Sequence, residues 1–228
     1  MKVLWRRLIK IGFGLLYNQL AWSYNWVSWL VSLGEWRKWQ MATLPFVVGP
    51  AVLEIAHGPG YLLVALSGRN YRLTGFDLSP AMGRLADHNL RQAGYYVPLV
   101  RGMAQALPFG ANCFDTVLTT FPTEFIVAPA TLQAIHRVLR PGGRLIIVPE
   151  GHLTGRSWVV RFITWLFVVT GQAPAGTAPK RWQLFEQWLA SAGFYSEIKQ
   201  LTLPRSSVTV IIAYKSKLEQ TPSAGTIG

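Results

Sequence analysis

Acidic side chains are scarce in this chain, and half of them fall where the strands of a sheet are predicted. The 228 residues include only ten Asp and Glu. Open α/β sheets bind ligands beyond the carboxyl ends of their strands, so scarce acids near that edge indicate a polar or cationic ligand. Five acids lie on or just beyond the first five predicted strands: Glu54, Asp77, Asp115, Glu124 and Glu150.

The first of these acids precedes a turn that contains glycine. An apolar run through Glu54 and Ala56 continues into a turn that holds Gly58 and Gly60. Glycine lets the backbone approach a ligand closely and adopt a positive φ. An ordinary strand-to-helix turn can have the same composition, so this turn alone does not define a site.

Asp77 stands at the end of the next predicted strand. A carboxylate at this place in an α/β sheet can accept hydrogen bonds from both hydroxyls of a ribose. Capping the following helix is the alternative role, but Ser79, which is followed by Pro80, is better placed for that. Asp77 is therefore a candidate ligand-binding residue.

These residues lie in a repeating pattern of strands and helices that starts at Ala51, which predicts an α/β domain with a largely parallel sheet. Helices are predicted from Pro80 to about Ala93, from Pro129 to Leu139, and around a buried face of Leu184, Phe185, Trp188 and Leu189. No helix separates the last two strands, so we expect them to form an antiparallel pair. The predicted strands are Ala51–Ala56, Tyr71–Asp77, Tyr96–Arg101, Phe114–Thr119, Arg144–Val148, Tyr195–Leu203 and Val208–Tyr214.

Three further elements complete an ordered series: the segment Arg101–Phe109, the run that begins Phe114-Asp115, and the turn Leu139-Arg140-Pro141-Gly142-Gly143. In this order and spacing, the series resembles the motifs of class I S-adenosylmethionine-dependent methyltransferases of the ubiquinone- and menaquinone-methyltransferase-like group. The resemblance covers roughly residues 51–148. It implies a Rossmann-like, mostly parallel seven-stranded sheet with helices on both faces and an N-terminal helical cap. It also implies methyl transfer by in-line displacement from S-adenosylmethionine to a hydrophobic small molecule, such as a quinone precursor or a lipid headgroup.

The resemblance implies a set of cofactor-binding residues as well. Glu54 would lie near the methionine ammonium, Asp77 would bind the ribose, and Leu78 would pack on the adenine. Two positions depart from the family pattern. Ala56 replaces the first glycine of the loop, which is acceptable if its φ is negative, and Met103 replaces an aspartate, which loses a hydrogen bond of about 1 kcal/mol. The implied residues are Glu54, Ala56, Gly58, Gly60, Asp77, Leu78, Met103, Ala104 and Phe121.

Methyl transfer from a sulfonium needs orientation and a dry site more than it needs a catalytic side chain. A general base is required only if the nucleophile must lose a proton, and the candidates are Glu124, Glu150, His152 and Tyr24. The alternative is a catalytically weak or inactive cofactor-binding protein that assists another protein or docks on a membrane. A nicotinamide-dependent dehydrogenase is disfavoured, because the turn has two glycines rather than three and an acid precedes it.

The net charge of +12 suits nucleic acid, an anionic membrane or an acidic substrate. The basic residues form no dense block, and the segment after the fourth strand lacks the Asn/Asp-Pro-Pro-aromatic signature of enzymes that methylate nucleic-acid bases, so nucleic acid is disfavoured. Cys113 is the one cysteine, and the four histidines have no ligand spacing, so we expect neither a disulfide nor a metal. These features predict a cytoplasmic protein. The acceptor atom and the oligomeric state stay open.

The N-terminal segment differs in composition, because it holds six of the ten tryptophans. We predict a helical cap over residues 1–46, a methyltransferase domain over 47–216 and a flexible tail over 217–228. The tryptophans either pack in a lid over the site or form a membrane-interfacial surface together with residues 158–169, and both can hold. That second apolar run is shorter than the ~20 residues of a membrane-spanning helix. Peripheral contact with the inner face of the membrane is the corresponding expectation.

Overall fold

The structure is a computed structural model that describes residues 32–154 and 179–216. Several predictions lie outside the described residues: the candidate base Tyr24, the apolar run 158–169, the tail 217–228, and the tryptophans Trp5, Trp22, Trp26 and Trp29.

A seven-stranded sheet forms the centre of the fold, with the strand order β3-β2-β1-β4-β5-β7-β6. The first five strands in chain order run parallel to one another, whereas β7 runs antiparallel to both β5 and β6. The predicted fold class, a mostly parallel seven-stranded sheet that ends in an antiparallel pair, is therefore confirmed. The strands are β1 (Ala51–Ile55), β2 (Arg72–Asp77), β3 (Leu99–Arg101), β4 (Phe114–Thr120), β5 (Leu139–Leu153), β6 (Phe194–Leu203) and β7 (Ser206–Lys215).

Helices flank this sheet and connect most of its parallel strands. They are α1 (Trp36–Met41), α2 (Tyr61–Ser67), α3 (Pro80–Gln92), α4 (Pro129–Val138) and α5 (Pro179–Ser191). Helix α3 starts as its sequence predicts, because the hydroxyl of Ser79 accepts a hydrogen bond from the backbone N–H of Met82 at 3.3 Å. Short 3-10 turns lie at Leu44–Phe46, Ala104–Ala106 and Glu124–Val127.

Both faces of the sheet are buried, which explains why β1 reads as a continuous apolar run. Side chains alternate along this strand, so Leu53 and Ile55 enter one core while Val52 enters the other. All five residues of β1 are buried, including Glu54. The turn that follows β1 is therefore held by a rigid central strand.

Helix α1 is packed on the carboxyl half of the sheet. The ring of Trp39 lies against the backbone of Gly151, where an added Cβ would come within 2.4 Å of the indole. Just before the helix, Glu35 accepts a hydrogen bond from the hydroxyl of Ser206 at 2.8 Å and pairs with Lys38. These contacts join the described end of the N-terminal segment to β5 and β7.

Three predictions differ from the observed elements. Strand β3 begins at Leu99 rather than Tyr96, whose side chain is exposed. Strand β5 begins at Leu139, directly after α4, and extends to Leu153. On α5, two of the four residues predicted to be buried are exposed instead. Phe185 and Leu189 are buried, whereas Leu184 and Trp188 are 48% and 41% exposed.

Among the residues that the structure describes, no helix has the length and hydropathy that crossing a bilayer requires.

Candidate active site

A cleft of about 510 Å³ opens at the carboxyl ends of β1, β2 and β4. Its volume lies within the range of small-molecule sites. The fold places a ligand site at this edge, because the strand order changes direction between β1 and β4. Seven of the nine predicted cofactor-binding residues line the cleft: Ala56, Gly58, Asp77, Leu78, Met103, Ala104 and Phe121.

Asp77 occupies the end of β2 and is fixed by two backbone amides. Its Oδ2 accepts a hydrogen bond from the N–H of Gly58 at 3.0 Å, and its Oδ1 accepts one from the N–H of Ser79 at 2.8 Å. Helix capping belongs to Ser79, so the alternative role considered for Asp77 is wrong. The carboxylate instead connects the turn after β1 to the turn after β2 through these two hydrogen bonds. Each of its oxygens can still accept a hydrogen bond from a ligand.

The glycines of the β1 turn have two different functions. Gly58 has a φ of +54°, and a Cβ at this position would meet nothing within 4 Å, so its backbone faces open space in the cleft. Gly60 has a φ of +77° but does not line the cleft. A Cβ there would come within 2.8 Å of the Cβ of Ala86, so this glycine permits α2 and α3 to approach each other.

Ala56 has the conformation that glycine favours. Its φ is +56°, so the condition under which alanine was considered acceptable here, a negative φ, is not met. A non-glycine residue in the left-handed region costs roughly 1–2 kcal/mol. The buried strand before Ala56 and the backbone hydrogen bond from its N–H to Phe76 at 2.7 Å impose this conformation.

Glu54 is buried beneath the cleft lining rather than exposed in it. Burial, and then the negative charge of Asp77, raise the pKa of this carboxyl well above its ordinary value. The backbone N–H of Leu63 opposes the rise only partly and lacks hydrogen-bond geometry, so neither carboxyl oxygen has a hydrogen-bond partner among the described residues. An unpartnered buried carboxyl is costly, and a cationic donor in the neighbouring cleft would satisfy it.

His57 is also buried and lines the cleft. Burial lowers its pKa, although the charge of Asp77 and the carbonyl of Gly58 act in the opposite direction. Its Nδ1 lies 2.8 Å from the carbonyl oxygen of Gly58. Because a carbonyl oxygen can only accept a hydrogen bond, Nδ1 carries the proton in the neutral ring. The imidazole therefore stiffens the turn without adding positive charge to it.

The adenine side of the predicted site has an apolar surface. Leu78 and Met103 line the cleft and are 60% and 57% exposed, which is unusual for such side chains. A planar apolar group lying between them would bury this surface. The guanidinium of Arg101, which also lines the cleft, donates from Nε to the carbonyl of Leu78 at 3.2 Å and fixes that turn.

At the other end of the cleft, α1 packs on the turn after β4. Phe121 has a φ of +52°, and its ring stacks on Trp36 at a centroid distance of 3.9 Å. The side chain of Gln40 lines the cleft and donates from Nε2 to Oγ1 of Thr120 at 3.2 Å. The described part of the N-terminal segment therefore contributes directly to the site.

Several predicted acids and bases do not reach the cleft. Asp115 lies at the amino end of β4, on the opposite edge of the sheet, where it binds Arg140 at 2.7 Å and the backbone N–H of Ala51 at 2.9 Å. The assignment of Asp115 to the ligand-binding edge is therefore wrong. Glu124, Glu150 and His152 also lie outside the lining, the last two paired with each other at 3.1 Å.

Other lining residues were not predicted from the sequence: Gln40, Thr120, Pro122, Thr123 and Phe125. The four after β4 follow a strand end and could have been included on that ground. Gln40 had no such signal, because its partner Thr120 is 80 positions away in the chain. No three His, Cys, Asp or Glu side chains within residues 32–154 and 179–216 are grouped so as to hold a metal ion.

Comparison with known proteins agrees with this geometry. The family model described as "Methyltransferase domain" matches residues 52–143. Residues 52–143 thus match a methyltransferase domain, and the sheet to which they belong has the class I methyltransferase fold. This match and the fold confirm three predictions. They are the family resemblance of the motif series, the fold class, and S-adenosylmethionine as the cofactor of such domains.

Curated relatives place the domain more narrowly. The demethylmenaquinone methyltransferase of Symbiobacterium thermophilum is 31% identical over 140 residues, which are 58% of this chain and 56% of the relative. An uncharacterised methyltransferase of Synechocystis is 39% identical over 140 residues, 57% of this chain and 63% of the relative. The chain thus spans little more than half the length of these relatives.

A crystal structure from Methanococcus maripaludis, titled as a candidate S-adenosylmethionine-dependent methyltransferase, shares the fold with a TM-score of 0.65. It is 17% identical, and the match covers 90% of this chain and 96% of that one. At this identity the likeness supports the fold alone.

Proposed function

We propose that this chain transfers a methyl group from S-adenosylmethionine to a hydrophobic small molecule. The proposal rests on the cleft, whose two ends are lined by different kinds of side chain. One end presents the fixed carboxylate of Asp77 beside the apolar pair Leu78 and Met103, and the other end is lined by Phe121 and Phe125.

The residues present fit the cofactor. Asp77 would bind the ribose hydroxyls, and the open backbone at Gly58 leaves room for the methionine portion. Glu54, which has a raised pKa and no partner among the described residues, suits the methionine ammonium. When bound, the cofactor supplies a methyl group on a positively charged sulfur, and the chain orients it and excludes water.

The acceptor end is largely apolar. Phe121, Pro122 and Phe125 line it, and Thr120 and Thr123 are its hydroxyl-bearing residues. No carboxylate or basic side chain of the described lining stands at this end. A quinone precursor is the acceptor that the name of the Symbiobacterium relative supports; a lipid headgroup and other hydrophobic metabolites are the alternative acceptors.

The location of the protein follows from the acceptor in this proposal. A hydrophobic acceptor is delivered from a membrane, and a chain of net charge +12 is attracted to an anionic bilayer surface. The cap 1–46, the domain 47–216 and the tail 217–228 stay proposals for the organisation of the chain, as does peripheral membrane contact.

The proposal is tested by incubating the purified protein with methyl-labelled S-adenosylmethionine and a total cell extract, then separating organic and aqueous phases. Label in the organic phase supports methylation of a hydrophobic acceptor. Label confined to the aqueous phase contradicts that acceptor class. Cofactor binding without label in either phase favours the alternative, a binding protein that does not turn over.

A further inference from the structure

Gln40 of helix α1 is a buried amide with half of its hydrogen-bonding capacity unused. The side chain is only 6% exposed, and its Nε2 donates to Thr120. Its Oε1 has no hydrogen-bond partner among the described residues. Burying a carbonyl oxygen without a donor is destabilising, so a donor from a bound molecule would stabilise this side chain.

The cleft is where that donor can come from, since both Gln40 and Thr120 line it. An amide oxygen only accepts hydrogen bonds, so the ligand group it meets must be a donor.

A second unpartnered acceptor lies on the same face of the sheet. Glu54 pairs with Leu118 across β1 and β4, and Thr120 lies two residues beyond Leu118, so Glu54 and Thr120 project to one side. Strand geometry places the Cα atoms of these two residues about 8 Å apart. Gln40, bonded to Thr120, is therefore held on the face of the sheet on which Glu54 lies, and both side chains have oxygen acceptors without donors among the described residues.

We propose that Gln40, which lines the cleft, binds the α-ammonium of the cofactor's methionine portion above the buried carboxyl of Glu54, which makes helix α1 a part of the cofactor site. An amide oxygen above a buried carboxyl suits a group with three N–H donors and a positive charge. The inference rests on the proposed function, since it presumes that S-adenosylmethionine binds in this cleft. It adds that the N-terminal segment discriminates the amino-acid end of the cofactor.

The experiment measures binding by calorimetry for three ligands: S-adenosylhomocysteine, decarboxylated S-adenosylmethionine, which keeps the amine, and methylthioadenosine, which lacks the amino-acid portion. Gln40→Met preserves length and apolar packing but removes the acceptor. We expect about tenfold weaker binding of the first two ligands. Methylthioadenosine should bind the variant as it binds the wild-type protein.

Two further variants separate a lost acceptor from lost packing. Gln40→Glu keeps an oxygen acceptor and should bind S-adenosylhomocysteine within about threefold of the wild-type protein. Gln200→Met alters an exposed glutamine on β6 and should change nothing. Equal weakening for all three ligands, or no weakening for any, overturns the inference. Failure of the wild-type protein to bind S-adenosylhomocysteine at all would instead contradict the proposed function.

Discussion

Replacing the buried carboxyl of Glu54 with an amide, Glu54→Gln, should remove a pH dependence from folding. In the unfolded chain this carboxyl ionises near 4.5, whereas burial, assisted by Asp77, raises its pKa well above that value in the native state. Between the two pKa values the native protein holds a proton that the unfolded chain has released. The free energy of unfolding therefore falls as the pH rises through this window.

The slope of this effect is limited by one proton. One proton corresponds to about 1.4 kcal/mol per pH unit. The glutamine variant lacks this pH-dependent contribution. The difference between its unfolding free energy and that of the wild-type protein should therefore increase in favour of the variant as the pH rises above 4.5. Urea denaturation at a series of pH values measures this difference.

Cofactor binding should reverse the protonation. An ammonium placed beside Glu54 favours the ionised carboxylate, so binding of S-adenosylhomocysteine releases up to about one proton. Calorimetry at one pH in two buffers of different ionisation enthalpy measures the release. The Glu54→Gln variant should release correspondingly fewer protons, while Glu197→Gln, on β6 beside Lys199 and outside the cleft, should match the wild-type protein. Equal proton release in all three proteins, together with a stability difference that does not vary with pH, would refute this reasoning.

The remaining predictions concern backbone conformation and packing around the cleft. Ala56→Gly removes a left-handed strain of roughly 1–2 kcal/mol and loses about 0.5–1 kcal/mol through the freer unfolded chain. Urea denaturation should therefore show a gain in unfolding free energy of up to about 1.5 kcal/mol; a loss would contradict the observed φ. Asp77→Ala should weaken S-adenosylhomocysteine at least tenfold, about 1.4 kcal/mol, in a calorimetric titration; unchanged affinity argues against the ribose assignment. Gly151→Ala forces a methyl group onto the Trp39 ring and should lower the unfolding free energy by about 1–3 kcal/mol; an unaffected midpoint would mean that the α1 contact is loose.

Much of the fold could be predicted because its signals are local. Ser79 followed by Pro80 marks the start of α3, and apolar runs mark β1 and β4. The absence of a helix between the last two strands predicts their antiparallel pairing. Element ends were less accurate, as at β3 and β5, because register and neighbouring strands determine where pairing stops.

The candidate site was predictable only where the motif itself supplies the residue. Asp77 and Gly58 follow from strand ends and turn chemistry, and both line the cleft. Asp115 was misplaced although the predicted strand Phe114–Thr119 already puts it at the amino end, because lying on a strand does not by itself bring a residue to the carboxyl edge of the sheet. Gln40 was missed because its function depends on a contact between α1 and β4, and the positive φ of Ala56 depends on how β1 is held.

The central claim is that the cleft beyond β1, β2 and β4 binds S-adenosylmethionine in one orientation. A crystal structure of the full chain with S-adenosylhomocysteine tests it most directly. The account predicts the ribose hydroxyls on Asp77, the adenine between Leu78 and Met103, and the ammonium between Glu54 and Gln40. A ligand bound elsewhere, or in this cleft with its amino-acid end at Asp77, would contradict the account.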